Sequence, residues 1–371
     1  MFVPVLNVVA VVIAASAAGL NAYVQRRKHR RRMAVCPQCG FPADKFEVAD
    51  DSVGSMEQHQ DDLVVCRNII SESPFEKCSL TLPRWSLDVP WLRFAGVGGT
   101  CSAGQTTWNA ACSSRLRPFL INEKVSVESL PFAGQHDFQD IWDDIEYRKS
   151  FPAATHRSGR PKPWCVAVRT RARRATLRIV AVSDFAGEIP TQCTLEDRSY
   201  RDLLDKDGHL FFLDLNQVKR IQLEVFHRFL VNLRATRGLR NAETRLSPIA
   251  VCIGKLDLLP ECQDGSENIA RAIRCIQEIR DSGPADEATT LTAIRRRHEL
   301  ILKHSELFGC VKSLNGRLQD ECGKDGFMFF PMASVGWVGR DLSVAATIEP
   351  YAVVDPLLWL MHVSGMKILP P

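Results

Sequence analysis

A glycine-rich stretch that follows a short apolar run constrains this chain more than any other feature. Residues 91–107 read WLRFAGVGGTCSAGQTT, and the apolar run 92–97 predicts a buried strand. The stretch after it follows the phosphate-binding pattern G-x-x-x-x-G-K-[ST], with glutamine at the lysine position. The candidate phosphate-binding residues are Gly99, Gly104, Gln105, Thr106 and Thr107.

The chemistry of a phosphate explains this spacing. Glycines let successive backbone N–H groups turn toward the anion, and the following helix adds the positive end of its dipole. The hydroxyl of Thr106 would hold a magnesium ion that bridges the outer phosphates. Gln105 can donate a hydrogen bond but brings no charge. Taken alone, the stretch also fits an ordinary turn after a strand.

The composition is that of a globular protein. The chain has 371 residues, of which 45% are hydrophobic and 24% charged, which suits one large domain or two smaller ones. The net charge of +4 comes from six Lys and Arg residues within 26–32, and the remainder is close to −2. We therefore expect no nucleic-acid partner. The thirteen scattered cysteines favour buried thiols or metal ligands in a reducing compartment.

The first 25 residues predict a transmembrane anchor. Residues 2–24 are almost wholly apolar, and a helix needs about 20 such residues to cross the hydrocarbon. Basic residues follow this run and none precedes it, which predicts a single-pass protein of the cell membrane with its main domain in the cytoplasm. The basic juxtamembrane segment 26–34 also suits contact with the lipid bilayer. A cleaved signal peptide is the competing interpretation, although it normally begins with basic residues.

Residues 35–82 predict a small zinc ribbon. Cys36 and Cys39, in CPQCG, are spaced so that two thiolates can chelate one tetrahedral ion. Cys66 and Cys78 are separated by eleven residues and do not form a second pair of this kind. They complete a four-cysteine zinc site if a ribbon brings them together, and otherwise only the first pair is structured.

Residues 87–371 predict an α/β domain with a mostly parallel sheet flanked by helices. The runs 164–169 and 176–182 predict a β-hairpin whose second strand ends in SDFAGE. Asp184 and Gly187 there fit a D-x-x-G element, in which the aspartate contacts magnesium through water and the glycine N–H senses the terminal phosphate.

A second strand end carries a base-reading pattern. The predicted strand 248–253 runs into GKLD, where Lys255 and Asp257 fit [NT]-K-x-D, a pattern that reads guanine, with Gly254 in place of the first residue. Helices are predicted at 265–282 and 285–308, a last strand at 327–332 and a closing helix at 355–363 that buries Leu358 and Leu360. Three further candidates are Ser334 for base contact, Thr155 for a mobile metal-contacting loop and Glu188 for positioning water.

From about residue 87 to its end the chain resembles the bacterial double-GTPase group of the TRAFAC GTPases, which have a Ras-like P-loop domain. The resemblance rests on GGTCSAGQTTW, SDFAGE, GKLD, FFPMASVG and EPYAVVDPLLWL, with a C-x-x-C ribbon ahead of them. It implies binding of GTP and magnesium and a switch-like role in a bacterial conflict or signalling system. Gln105 and Gly254 depart from the family pattern and put full GTPase activity in doubt.

The sequence thus predicts a membrane-anchored GTP-binding switch with a zinc ribbon, in which any GTP hydrolysis is slow. A non-catalytic pseudo-GTPase scaffold that recruits unknown protein partners is the alternative. An adenine-specific NTPase is a third interpretation, disfavoured only by the placement of Lys255 and Asp257.

Overall fold

The computed structural model divides the chain into two compact units, Met1–Trp91 and Leu92–Pro371. The residues that it describes are 36–39, 46–48, 63–68, 78–99, 104–122, 125–130, 135–148, 150, 163–170, 176–185, 189–238, 246–286, 289–335 and 348–370. The predicted anchor and the basic juxtamembrane segment lie outside these residues. Of the helices in the described part of the chain, none has the length and apolar character needed to cross a membrane.

The first unit contains a small antiparallel sheet. Its three strands, in the order β1-β2-β3, are β1 (Phe46–Val48), β2 (Leu63–Cys66) and β3 (Thr81–Pro83). Both pairings are antiparallel, with Phe46 opposite Cys66 and Leu63 opposite Pro83. A 3-10 helix, Arg84–Asp88, follows the third strand. The sheet falls almost wholly within residues 35–82, the segment predicted as a zinc ribbon.

The second unit is built on a seven-stranded sheet with the order β10-β9-β8-β4-β7-β6-β5. Its strands are β4 (Trp91–Gly98), β5 (Val125–Ser129), β6 (Trp164–Thr170), β7 (Leu177–Asp184), β8 (Gly208–Asp214), β9 (Ile249–Gly254) and β10 (Phe327–Pro331). The pairings of β10 with β9, β9 with β8 and β8 with β4 are parallel. Those of β7 with β6 and β6 with β5 are antiparallel. The mostly parallel sheet and the predicted hairpin are therefore confirmed.

Helices cover both faces of this sheet. They are α1 (Gln105–Asn122), α2 (Gln135–Asp143), α3 (Ile189–Gln192), α4 (Arg198–Leu204), α5 (Lys219–Gly238), α6 (Ser266–Arg280), α7 (Leu291–Lys303), α8 (Val311–Cys322) and α9 (Asp355–Met361). Successive residues of a strand point to opposite faces, so Leu210 and Phe212 pack in one core with α1 and α9. Phe211 and Leu213 pack in the other core with α5, α6 and α8.

The prediction of one helix over 285–308 was wrong in length, because α7 covers only Leu291–Lys303. A separate helix, α8, follows it and was not predicted. The side chain of Thr290 accepts a hydrogen bond from the N–H of Ala293 and caps the start of α7. Beyond Lys303 the chain turns, and Gly309 has a φ of 62°. The separate helix α8 was missed because its apolar positions are few, although their spacing suits a helix: Val311, Leu314 and Leu318 are all buried.

Buried charges hold the closing helix α9 in place. Arg297 of α7 donates to the carboxylate of Asp355, and both side chains are 1% exposed. Asp286 accepts from the backbone N–H groups of Ala352 and Val354, at 3.0 and 3.2 Å. Burial, together with the nearby Asp355, raises the pKa of Asp286 to about 7. The two leucines predicted to be buried on this helix have no exposed surface: Leu358 and Leu360.

A histidine covers part of the free edge of the sheet. β10 is an edge strand, and the N–H of Phe329 donates to Nδ1 of His298 on α7 over 3.1 Å. The two rings are stacked with their centroids 5.7 Å apart. The bond occupies a backbone donor that would otherwise remain open for pairing with another chain. Burial lowers the pKa of His298 from 6.5 to about 4, so the imidazole stays neutral in the folded protein.

Acid should therefore destabilise this edge through His298. Folding depresses the pKa of His298, so the neutral imidazole contributes fully to the free energy of unfolding above pH 6.5. This contribution is lost as the pH falls from 6.5 to about 4. H298Q keeps a hydrogen-bond acceptor that does not titrate, so the urea midpoint of this variant should fall less steeply over that range. H227Q, at an exposed histidine on α5, is the matched control and should follow the wild type. Equal slopes for wild type and H298Q would contradict this role.

Candidate functional site

The candidate residues follow strands that end at one edge of the sheet. β4, β8 and β9 are neighbours and run parallel. Gly98 lies opposite Phe212, and Asp214 lies opposite Gly254, so the strand ends are nearly level. Ligands of open parallel sheets bind outside the carboxyl ends of the strands. The loops after these strands are therefore placed to form one site.

The first turn of α1 is bonded to the end of β7. Oγ1 of Thr106 donates to Oδ2 of Asp184 over 2.7 Å, between residues 78 positions apart in the chain. Asp184 is 5% exposed. A hydroxyl has one proton and two acceptor lone pairs, and this bond uses the proton. The two residues predicted to hold magnesium are thus in contact, and the hydroxyl oxygen keeps its lone pairs for a cation.

Gln105, at the lysine position, has a buried side chain that is 8% exposed. Its Nε2 lies close to β4, since a Cβ atom added to Gly96 would be 3.7 Å from it. Within the described part of the chain, this Nε2 has no hydrogen-bond partner. A buried donor without an acceptor costs about 1–3 kcal/mol, so the amide suits an oxygen supplied by a ligand.

A buried polar chain fixes the start of α1. Nδ2 of Asn109 donates to the carbonyl oxygen of Gln105 over 3.1 Å. Nε1 of Trp164, on β6, donates in turn to Oδ1 of Asn109 over 2.8 Å. Asn109 has no exposed surface, and Trp164 is 1% exposed. The backbone that carries Gln105 and Thr106 is therefore tied to the neighbouring hairpin.

The two glycines of the motif are required for different reasons. Gly99 donates its N–H to the carbonyl oxygen of Phe212 over 2.8 Å. A Cβ atom on Gly99 would lie 3.1 Å from that oxygen and 3.3 Å from Oε1 of Gln222. Gly104 has open space around it but a φ of 86°, which favours glycine. The residues between them, 100–103, lie outside the described residues.

The predicted base-reading residues lie on two adjoining loops. Lys255 has left-handed backbone angles, φ 57° and ψ 39°, and precedes the 3-10 turn Leu256–Leu258 that contains Asp257. The N–H of Leu256 donates to the carbonyl oxygen of Met332 over 3.2 Å, which joins this turn to the loop of Ser334. The loops that carry the three residues predicted to read the base are therefore neighbours.

The structure describes only some of the remaining candidate residues. Thr107 lies in the first turn of α1 and is half-buried. Thr155, Gly187 and Glu188 lie outside the described residues.

One acidic residue near the candidate site was not predicted from the sequence. Asp214, at the end of β8, is 1% exposed, and its Oδ2 is 2.8 Å from Nζ of Lys255. The signal that could have found it is an aspartate directly after an apolar strand.

The four predicted metal ligands form one cluster in the first unit. The sulfur atoms of Cys36, Cys39, Cys66 and Cys78 all lie within 4.8 Å of one another. Two of these distances are 3.8 and 3.7 Å, far longer than a disulfide bond of about 2.05 Å. They match the edge of about 3.8 Å expected for a tetrahedron with Zn–S bonds of about 2.3 Å. The cluster is compatible with zinc.

A hairpin brings the two later cysteines together, which sequence spacing alone did not settle. The N–H of Cys66 donates to Leu80, and the N–H of Cys78 donates to Asn68, at 2.9 and 2.7 Å. The side chain of Asn68, which sequence reasoning missed, also donates to the sulfur of Cys66 over 3.2 Å. Burial raises the pKa of the Cys36 thiol. A divalent cation would offset the cost of ionising buried thiols.

The chain has distant likenesses among solved structures. No protein-family model matches the chain, and no curated protein matches it. Among solved structures, the S. cerevisiae Ski7 GTPase-like domain bound to GTP is 12% identical, with a TM-score of 0.35. The same domain bound to GDP and inorganic phosphate is 10% identical, with a TM-score of 0.33. Each match covers 75% of this chain and 51% of the other, so this chain spans about half the length of those domains. A likeness of this size says nothing about the ligand of this chain.

The cysteine cluster should bind one zinc ion per chain. C66S removes a ligand, so zinc measured by mass spectrometry in the purified protein should fall well below that of the wild type. C193S, at a half-buried cysteine outside the cluster, should keep the wild-type content. N68A should keep zinc but bind it about 10–100-fold more weakly in a chelator competition, because it removes a donor to the thiolate. Equal zinc content in C66S and C193S would contradict a site in this cluster.

Proposed function

We propose that the second unit binds a guanine nucleotide with magnesium and acts as a switch protein. The observation that carries this proposal is the 2.7 Å hydrogen bond between Thr106 and Asp184. It joins the last residue of the phosphate-binding pattern to the residue that opens the D-x-x-G pattern. These two elements meet at a metal in phosphoryl-transfer proteins. The buried donor of Gln105 beside them supports the proposal, because it suits a phosphate oxygen.

Each part of the site has a separate task in this proposal. Gly99 and Gly104 let the loop between them approach phosphates closely, and the amide of Gln105 donates to a phosphate oxygen. Thr106 and Asp184 hold magnesium, which neutralises charge on the outer phosphates. The guanine base is read by the residues of the two adjoining loops: Lys255, Asp257 and Ser334.

Hydrolysis of GTP is slow in this proposal. Catalysis of phosphoryl transfer depends on positioning and on cationic groups that stabilise the charge of the transition state. Gln105 contributes a dipole where a lysine would contribute a full charge. We assign Gly187 to the terminal phosphate, Glu188 to positioning water and Thr155 to a second contact with the metal.

The remaining parts of the chain set where the switch operates. We propose that residues 1–25 anchor it in the cell membrane, that 26–34 lie against the headgroups, and that 35–82 form a zinc ribbon that recruits protein partners. Residues 87–371 then form the nucleotide-binding domain in the cytoplasm. We further propose that the protein belongs to a bacterial conflict or signalling system, as the resemblance to double-GTPases implies.

A non-catalytic scaffold is the second candidate function. The uncharged Gln105 and the absent side chain at Gly254 favour it, because both weaken nucleotide binding. In that case the fold would be kept as a platform for protein partners, and neither GTP nor ATP would bind.

Calorimetry of the full-length chain in detergent micelles separates these functions. A non-hydrolysable GTP analogue should bind with a dissociation constant on the order of micromolar in the presence of magnesium, and the ATP analogue should bind more weakly. D257A should lose the preference for guanine, and T106A should lose the dependence on magnesium. D264A, at an exposed aspartate beyond the base-reading turn, is the matched control and should bind as the wild type does. Failure of folded wild-type protein to bind either analogue would sink the nucleotide proposal and leave the scaffold.

A further inference from the structure

An aspartate lies beside the position where the base-reading pattern lacks a side chain. In the parallel pairing of β8 with β9, Asp214 is directly opposite Gly254. Gly254 occupies the first position of [NT]-K-x-D, which normally supplies an amide or hydroxyl to support the loop. The neighbouring strand thus brings a buried polar side chain, 1% exposed, to the place where the glycine brings none.

This aspartate is paired with the lysine of the same pattern. Oδ2 of Asp214 lies 2.8 Å from Nζ of Lys255, whose side chain is 33% exposed. Lys255 has a φ of 57°, a backbone conformation that a residue with a Cβ atom rarely adopts without support. The ion pair holds the side chain of Lys255, and the N–H of Leu258, which donates to the carbonyl oxygen of Lys255 over 2.9 Å, closes the turn.

Hydrogen bonds with Gln222, Asn216 and Gln217 hold Asp214 in place, and the N–H of Gln217 donates to its carbonyl oxygen over 3.1 Å. Gln222 of α5 accepts from its backbone N–H over 2.8 Å and donates to its carbonyl oxygen over 2.7 Å. Oδ1 accepts from the N–H of Asn216 over 3.0 Å. Gln222 is 4% exposed, so its two bonds to the backbone of Asp214 are shielded from water. They hold the backbone of Asp214, and the bond from Asn216 holds the carboxylate oxygen that does not contact Lys255.

We infer that Asp214 is a positioning residue for base recognition and takes over the supporting role that Gly254 cannot fill. This inference rests on the proposed binding of a guanine nucleotide. Asp214 acts through Lys255: it sets the start of the 3-10 turn and hence the place of Asp257. Selectivity for guanine over adenine then depends on a residue that lies outside the recognised pattern.

D214N tests this role because it keeps the shape and the acceptor for Asn216 and removes the charge that binds Lys255. Binding of the GTP analogue should weaken about tenfold, and the ratio of guanine to adenine affinity should fall with it. K255M should weaken binding at least as much, because Lys255 itself contacts the base in the proposed site. Adding D214N to K255M should change little, because the aspartate acts through the lysine.

E278Q is the matched control, since Glu278 pairs with Lys303 at the same 2.8 Å distance on α6 and α7. It should leave the affinity ratio unchanged. Wild-type binding with an unchanged ratio in D214N would overturn the inference alone, and so would additive effects of D214N and K255M. Failure of the folded wild type to bind either analogue would overturn the proposed function as well. Thermal unfolding of each variant identifies loss of affinity that comes from misfolding.

Discussion

The parallel pairing of β8 with β4 and β9 is the constraint on which the second unit depends. Parallel strands end at the same edge of a sheet, so loops far apart in the sequence meet there. The Asp214–Lys255 ion pair lies at strand ends that this pairing brings level, and the Thr106–Asp184 hydrogen bond joins the helix after β4 to the end of β7. The helices on each face bury the sheet and leave that edge to the loops. The loops that carry the candidate residues therefore share one edge of the sheet.

The proposed site has a neutral hydrogen-bond donor where the phosphate-binding pattern has a lysine, and its base-reading loop is supported from a neighbouring strand. Gln105 offers a buried amide where a lysine would bring a cation, which lowers the attraction for phosphates and the stabilisation of a transition state. At the base loop the side chain absent from Gly254 is offset by Asp214 on the neighbouring strand. A nucleotide would be held by backbone groups, a metal and the base more than by a charged side chain. This balance suits a switch that binds and releases more readily than it catalyses.

The strands and helices with strong apolar patterns could be predicted from the sequence. The contacts that position the candidate site residues could not. The strand before Gly99, the helix after it and the buried closing helix followed from local patterns. α8 and β5 were missed because their apolar signals are short. The role of Asn68 at the thiols and that of Asp214 at Lys255 arise from pairing between segments, which no local pattern encodes. The closeness of Cys66 to Cys78 likewise depends on a hairpin, so the spacing of the two cysteines alone did not predict it.

Hydrogen exchange of the full-length chain, with and without magnesium and a non-hydrolysable GTP analogue, shows whether three separate loops at one sheet edge form a single nucleotide site. If they do, the nucleotide slows exchange together in segments 92–108, 177–190 and 249–260 and leaves helix α8 unchanged. Slowing in one of these segments without the other two, or only elsewhere in the chain, would contradict it.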